Sequence, residues 1–154
     1  MQLNFIANTA LASTSGRTLA VIDPSDGQPF DTLQRSNAQD IDHAVHAARQ
    51  CLDAVWHKLA AAERGRLLMR LSATVLQHAD ELAALEQRDC GKPTRQARAD
   101  VQALARYFEF YAGACDKLHG ETIPGPPGYS VLTWREPHGV TGHVIPWNYP
   151  MQIF

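Results

Sequence analysis

The chain has 154 residues, 45% hydrophobic and 19% charged, a composition that folds around a core rather than staying disordered. Its 14 basic side chains against 16 acidic ones, a formal net charge of −2, leave no electrostatic case for nucleic acid or an anionic membrane. No apolar run approaches the roughly 20 residues of a membrane span, and Met1-Gln-Leu-Asn-Phe-Ile6 lacks the basic start and long apolar stretch of a secretory signal.

Residues 1 to 35 read as short strands and turns. Thr18 to Asp23 is β-branched and apolar, and Asp23-Pro-Ser-Asp-Gly27 is a turn with Pro at a favoured position and Gly to close it. Phe30 to Leu33 can return as a second strand. A helix follows, with Ser36 and Gln39 spaced as a capping box and Asn37 and Asp40 adding acidic character near its positive end. Ile41, Val45, Ala48, Leu52 and Val55 repeat every three or four residues, the stripe of a one-sided helix. Trp56 near its end reads as core, and His43 and His46 as a solvated face without the further ligands of a zinc site.

A second helical stretch covers about Ala60 to Asp89, with Leu67, Leu68, Leu71, Val75, Leu82 and Leu85 on its buried face. His78-Ala-Asp80 marks a break, where Asp80 can cap a new helix. Gly91 is placed to be a left-handed C-cap, and Pro93 forbids continuation. Lys92 between them reads as a solvated cap residue, since the glycine and Ser/Thr of a phosphate-binding P-loop are missing around it. The third helix starts near Thr94 as N-cap, carries the stripe Ala97, Val101, Leu104, Phe108, Tyr111, Cys115 and Leu118, and stops by Gly120. Cys51, Cys90 and Cys115 form no C-x-x-C and have no His or cationic cluster that would make one a nucleophile. Their odd number fits a reducing, cytoplasmic compartment.

Pro124-Gly-Pro-Pro-Gly128 breaks the chain, and Tyr129 to Arg135 alternates as a strand. Glu136-Pro-His-Gly139 is a turn. Val140 to Ile145 is a final apolar strand with Gly142 inside it, a residue that marks close approach of a backbone or ligand. It runs into Pro146-Trp-Asn-Tyr-Pro150. Each proline fixes its own φ and pushes the residue before it out of the helical region. Asn148 is therefore carried on a short, restrained peptide, as a side-chain amide that must aim at one place requires.

The order of these signals resembles the N-terminal part of the aldehyde dehydrogenase superfamily. The matching blocks are Asp23-Pro, Trp56 with Glu63-Arg64, Asp89-Cys-Gly-Lys-Pro93, Tyr107-Phe-Glu-Phe-Tyr-Ala112, His119-Gly-Glu-Thr-Ile-Pro124, Arg135-Glu-Pro-His-Gly-Val140 and Ile145-Pro-Trp-Asn-Tyr-Pro150. Each is weak alone; their shared order and near-constant spacing carry the resemblance from about residue 18 onward. It implies an α/β fold: three helical segments, then an arm strand and the first strand of a Rossmann-like cofactor domain. The implied organisation is 1–118 for the N-terminal strands and helices of the cofactor-binding domain, 119–137 for an oligomerisation arm, and 138–154 for the first core strand and the PWN loop, truncated.

The resemblance also implies oxidation of a small-molecule aldehyde to a carboxylic acid with NAD or NADP, through a cysteine thiohemiacetal and a thioester hydrolysed by a glutamate-activated water. Asn148 occupies the position of the family's oxyanion donor, a role typically worth about 2.7–4 kcal/mol of transition-state stabilisation. Val144, Ile145, Pro146 and Trp147 fall where the family contacts its cofactor, and Tyr149 and Gln152 where it lines a substrate channel. The strand at Tyr129 to Arg135 resembles the arm through which family members form homodimers or homotetramers. The family's nucleophilic cysteine and general-base glutamate lie downstream of the PWN block and are absent here. The expectation is thus an N-terminal fragment, inactive alone, whose last strand has no neighbours to cover its edges and faces. A non-catalytic decayed family member or a helical interaction module is the alternative.

Overall fold

The computed structural model describes residues 1–154. Strands β1 (Asn4–Ile6) and β2 (Thr9–Leu11) pair antiparallel across Ala7 and Asn8. Both turn residues have positive φ, as a right-twisted two-residue hairpin requires. Strands β3 (Thr18–Ile22) and β4 (Pro29–Gln34) form a second antiparallel hairpin, the expected strand–turn–strand. Its turn is closed by Asp23, whose carboxylate accepts from the Ser25 backbone N–H at 2.9 Å and hydroxyl at 2.5 Å. The Gly27 N–H donates to the Asp23 carbonyl at 2.8 Å.

Helix α1 (Ala38–Ala54) does not use the expected Ser36/Gln39 box. Asn37 is the cap: its side chain accepts from the Asp40 N–H, and the Asp40 carboxylate accepts from the Asn37 N–H at 2.9 Å. The Ser36 hydroxyl is turned to Asn4 instead. Asp40 wins because it is buried, at 5% exposure, and takes two further partners. The Ser13 hydroxyl donates at 2.6 Å and the Thr14 N–H at 2.9 Å. These donors hold the Asp40 carboxyl well below its ordinary 3.8, because each favours the ionised form. One carboxylate thus starts the helix and ties the N-terminal segment to it.

The apolar stripe of α1 is real but uncovered. Ile41, Val45 and Val55 are exposed, and Trp56, in a single 3-10 turn over Trp56–Lys58, is 41% exposed. The reading of Trp56 as core is corrected: only residues 139–141 pass beside Leu52 and Trp56, and no helix or sheet of these 154 residues covers the face. His43 and His46 are exposed, as expected.

The core lies among α2 (Ala61–Gln77), α3 (Ala79–Cys90) and α4 (Thr94–Ala114). The break falls at His78, as expected, but Asp80 makes no cap and sits in the first turn of α3. Gly91 ends α3 in the left-handed region, φ 70° and ψ 21°, a conformation open to glycine at no steric cost. Thr94 is also not a cap. Pro93 precedes α4, and the Thr94 hydroxyl donates to the Gln87 side chain at 2.8 Å. Helices α2 and α4 run antiparallel in close approach, with Gly65 against the Ala112 carbonyl and the Ser72 hydroxyl donating to the Ala105 carbonyl at 2.7 Å. Val75, Ala83, Ala97, Val101, Leu104 and Ala105 form the buried cluster, with Leu82, Phe108 and Met151 packed on it. Leu71, Leu85, Tyr111 and Leu118, expected to be buried, are exposed. With 14 of 154 residues buried, the three helices make one layer whose outer apolar faces are uncovered.

After α4 the chain extends. Strands β5 (Thr122–Ile123) and β6 (Val131–Leu132) pair antiparallel, so the strand expected over Tyr129 to Arg135 is only two residues long. Val140 to Ile145 forms no ladder at all. It has no partner strand within the chain, and a strand exists as such only through inter-strand bonds. The single turn α5 (Pro150–Ile153) ends the chain, with Pro150 at the first helical position, where its missing N–H costs nothing.

Candidate active site

The sequence-selected residues occupy one continuous stretch, Val144 to Gln152. Val144 is fully exposed, Trp147 is 75% exposed and Asn148 is exposed, while Ile145 is half-buried. The backbone before the loop belongs to no helix or strand and makes no backbone hydrogen bond, so its peptide groups and the Val144 side chain are presented outward. An exposed side-chain amide beside such a strip can donate a hydrogen bond to an oxygen that gains charge.

What anchors this loop was not foreseen. Lys92 is not solvated. Its side chain is 12% exposed, and its ammonium donates to Glu86 at 2.7 Å and to Asp100 at 2.5 Å, carboxylates whose side chains are 2% and 1% exposed. Desolvation pulls the Lys92 pKa down, but the hydrogen bonds and charges of Asp100 and Glu86 outweigh it, and the net shift is upward. The lysine is therefore held protonated. The same ammonium lies 4.3 Å from the centroid of the Tyr149 ring, a cation–π contact worth about 0.5–2 kcal/mol according to its desolvation. Asp100 is fully buried and its second oxygen accepts from Gln96 at 2.8 Å and from Gln152 at 2.6 Å. The Cys90 thiol donates to the Trp147 carbonyl at 2.9 Å. Burial, then the neighbouring charges of Asp89 and Glu86, push that thiol's pKa up, which favours the protonated thiol that donates to Trp147.

Tyr149 and Gln152 thus face the corner between α3 and α4 through Lys92 and Asp100, while Asn148 faces outward between them and Trp147. A sequence signal for this cluster existed. Glu86 lies three residues after buried Ala83, and Asp100 lies between buried Ala97 and Val101. Two acids on apolar stripes, flanking a Gly-Lys-Pro reversal, call for a buried cation. One Glu86 oxygen has no hydrogen-bond partner.

The aldehyde dehydrogenase family model matches residues 11–154. The mitochondrial aldehyde dehydrogenase family 2 member B4 of Arabidopsis thaliana is 44% identical over 144 residues, 92% of this chain and 27% of that protein. A Burkholderia cenocepacia crystal structure described as a candidate aldehyde dehydrogenase superposes with a TM-score of 0.96 at 62% identity, over 99% of this chain and 32% of that one. A P. syringae indole-3-acetaldehyde dehydrogenase, solved in complex with NAD+ and IAA, superposes at 0.91 with 34% identity, over 99% of this chain and 32% of that one. The chain spans about a third of the length of these relatives. With a helical layer, a proline-braced Trp-Asn loop and matches over nearly its whole length, the chain belongs to the aldehyde dehydrogenase family.

Proposed function

We propose that these residues form the N-terminal portion of an NAD(P)-dependent aldehyde dehydrogenase that converts an aldehyde and water to a carboxylic acid. The observation that carries this reading is the exposed Asn148 amide, set at the end of an exposed apolar strip and braced on both sides by prolines. Asn148 donates one side-chain N–H to the oxyanion formed when a cysteine thiolate, supplied by chain beyond residue 154, attacks the carbonyl. The dinucleotide, when bound, accepts the electrons of the oxidation. Val144, Ile145, Pro146 and Trp147 fit such a group: they offer apolar surface, most of it exposed, and the peptide groups of Val144 and Ile145 have no backbone partner. Tyr149 and Gln152 border the substrate channel, with the Tyr149 ring held by the Lys92 ammonium and the Gln152 amide by Asp100. The β5–β6 arm contacts a second subunit of a homodimer or homotetramer. Its exposed Tyr129, Leu132 and Trp134 support that role.

Asn148→Ala in the longer enzyme tests the reading. Turnover should fall about 10²–10³-fold, the cost of losing one oxyanion donor, with cofactor affinity little changed. Unchanged turnover in a folded variant would remove the oxyanion role. The coding sequence past Phe154 should continue through a Glu and a later Cys. An immediate stop would favour the non-catalytic reading.

A further inference from the structure

Three independent contacts meet the backbone and side chains around Asn148, and all originate at the α3–α4 corner. The Cys90 thiol holds the carbonyl of Trp147, immediately before Asn148. The Lys92 ammonium sits on the ring of Tyr149, immediately after it. Asp100, itself bound to Lys92, holds the amide of Gln152 one helical turn further on. The chain between 115 and 149 makes a two-residue ladder of its own and passes α1 at residues 139–141; next to Asn148 itself, the loop is tied to the helical layer by these contacts and by Met151 packed on the core.

We propose that Lys92, clamped by Glu86 and Asp100, is a positioning residue for the oxyanion site: it fixes where the Asn148 amide points. The proposal rests on the reading of Asn148 as oxyanion donor. A buried lysine between two carboxylates is not explained by stability alone, since desolvating three charges costs about as much as their attraction returns. Such a cluster specifies geometry. Its two acids are on different helices, and its lysine follows the glycine where the chain reverses. The ammonium therefore registers α3, α4 and the loop against one another at a single point. Lys92 acts through Tyr149 and, by way of Asp100, through Gln152.

The test is a double-mutant cycle in the longer enzyme, with Lys92→Met and Asn148→Ala made singly and together. Lys92→Met should lower kcat about tenfold or more, because a displacement near 1 Å can cost 10²-fold, while KM for the cofactor moves little. In the Asn148→Ala background the same change should cost less than about twofold, the two residues acting as a unit. A lysine that only stabilises the fold would give losses that multiply. Lys92→Arg, which keeps the charge, should recover part of the turnover. If Lys92→Met does not fold, Glu86→Gln decides. The Glu86 carboxylate hydrogen-bonds Lys92 alone, so the change loosens the ammonium and should lower kcat about two- to tenfold, the range of one hydrogen bond, with no further loss on top of Asn148→Ala. Wild-type turnover in Lys92→Met, or equal losses in both backgrounds for the variant used, overturns the proposal. Unchanged turnover in Asn148→Ala overturns the functional reading instead, whatever Lys92→Met does.

Discussion

Gly65→Ala and Gly113→Ala are the same chemical change in two helices, and the packing assigns them opposite signs. A Cβ on Gly65 would lie 2.6 Å from the Ala112 carbonyl oxygen, with the Cys115 Cβ at 3.7 Å behind it. That is about 0.8 Å short of the 3.4 Å at which ordinary contact begins, and the obstacle is backbone. Helix α4 would have to retreat. Ser72 lies seven residues, about two turns, along α2 from Gly65, and Ala105 the same distance back along α4 from Ala112. A rigid retreat therefore stretches the Ser72–Ala105 bond from 2.7 Å to about 3.5 Å, where it no longer counts as one. Overpacking costs about 1–3 kcal/mol and the lost bond about 1. The better helix propensity of alanine returns about 1. The net is a destabilisation of about 1–3 kcal/mol. At Gly113, in the last turn of α4, nothing lies within 4 Å of the added methyl. There alanine should stabilise by up to about 1 kcal/mol. Thermal unfolding followed by far-UV circular dichroism should rank Gly113→Ala at or above wild type and Gly65→Ala below it. Equal midpoints for the two variants would refute the close approach of α2 and α4.

Two further outcomes are expected. Asp40 has its folded pKa depressed below 3.8 by the Ser13, Thr14 and Asn37 donors, so it contributes stability fully present above the unfolded value and lost as pH falls through the folded one. Unfolding midpoints should therefore drop on acidification below about pH 4, and Asp40→Asn should be less stable at pH 7 with a flatter acid limb. An acid limb unchanged by the substitution would count against this network. The isolated 154-residue chain should be molten and inactive, because Trp134, Val144, Trp147 and Phe154 are each at least 75% exposed. Such surface binds hydrophobic dyes and aggregates. A cooperative thermal transition together with aldehyde-dependent formation of reduced cofactor would contradict that.

Much of this protein was legible from its residues because the signals are local. The Asp23–Gly27 turn, the break at His78, the left-handed cap at Gly91 and the proline brace around Asn148 follow from φ preferences and short-range donors, which need no knowledge of distant chain. The ordered blocks from Asp23-Pro to Pro146-Trp-Asn were also enough to carry the family resemblance. The cap of α1 lies one residue beyond the Ser36/Gln39 spacing, because the choice between Ser36/Gln39 and Asn37/Asp40 is made by Ser13 and Thr14, more than 20 residues away. An apolar stripe states that a face gains by burial but not whether a partner is there. Only the packing showed that Val75 and Val101 are covered while Ile41, Trp56 and Tyr111 are not. Val140 to Ile145 has the composition of a strand, and its ladder needs a neighbour this chain does not contain. Lys92 is the sharpest case. Six residues separate it from Glu86 and eight from Asp100, and the reversal at Gly91 brings both carboxylates onto one ammonium beneath the Tyr149 ring. Sequence determined that Asn148 sits on a short peptide restrained by Pro146 and Pro150. Tertiary structure decided what holds it, because burial of charge is settled by three-dimensional neighbours and not by spacing along the chain.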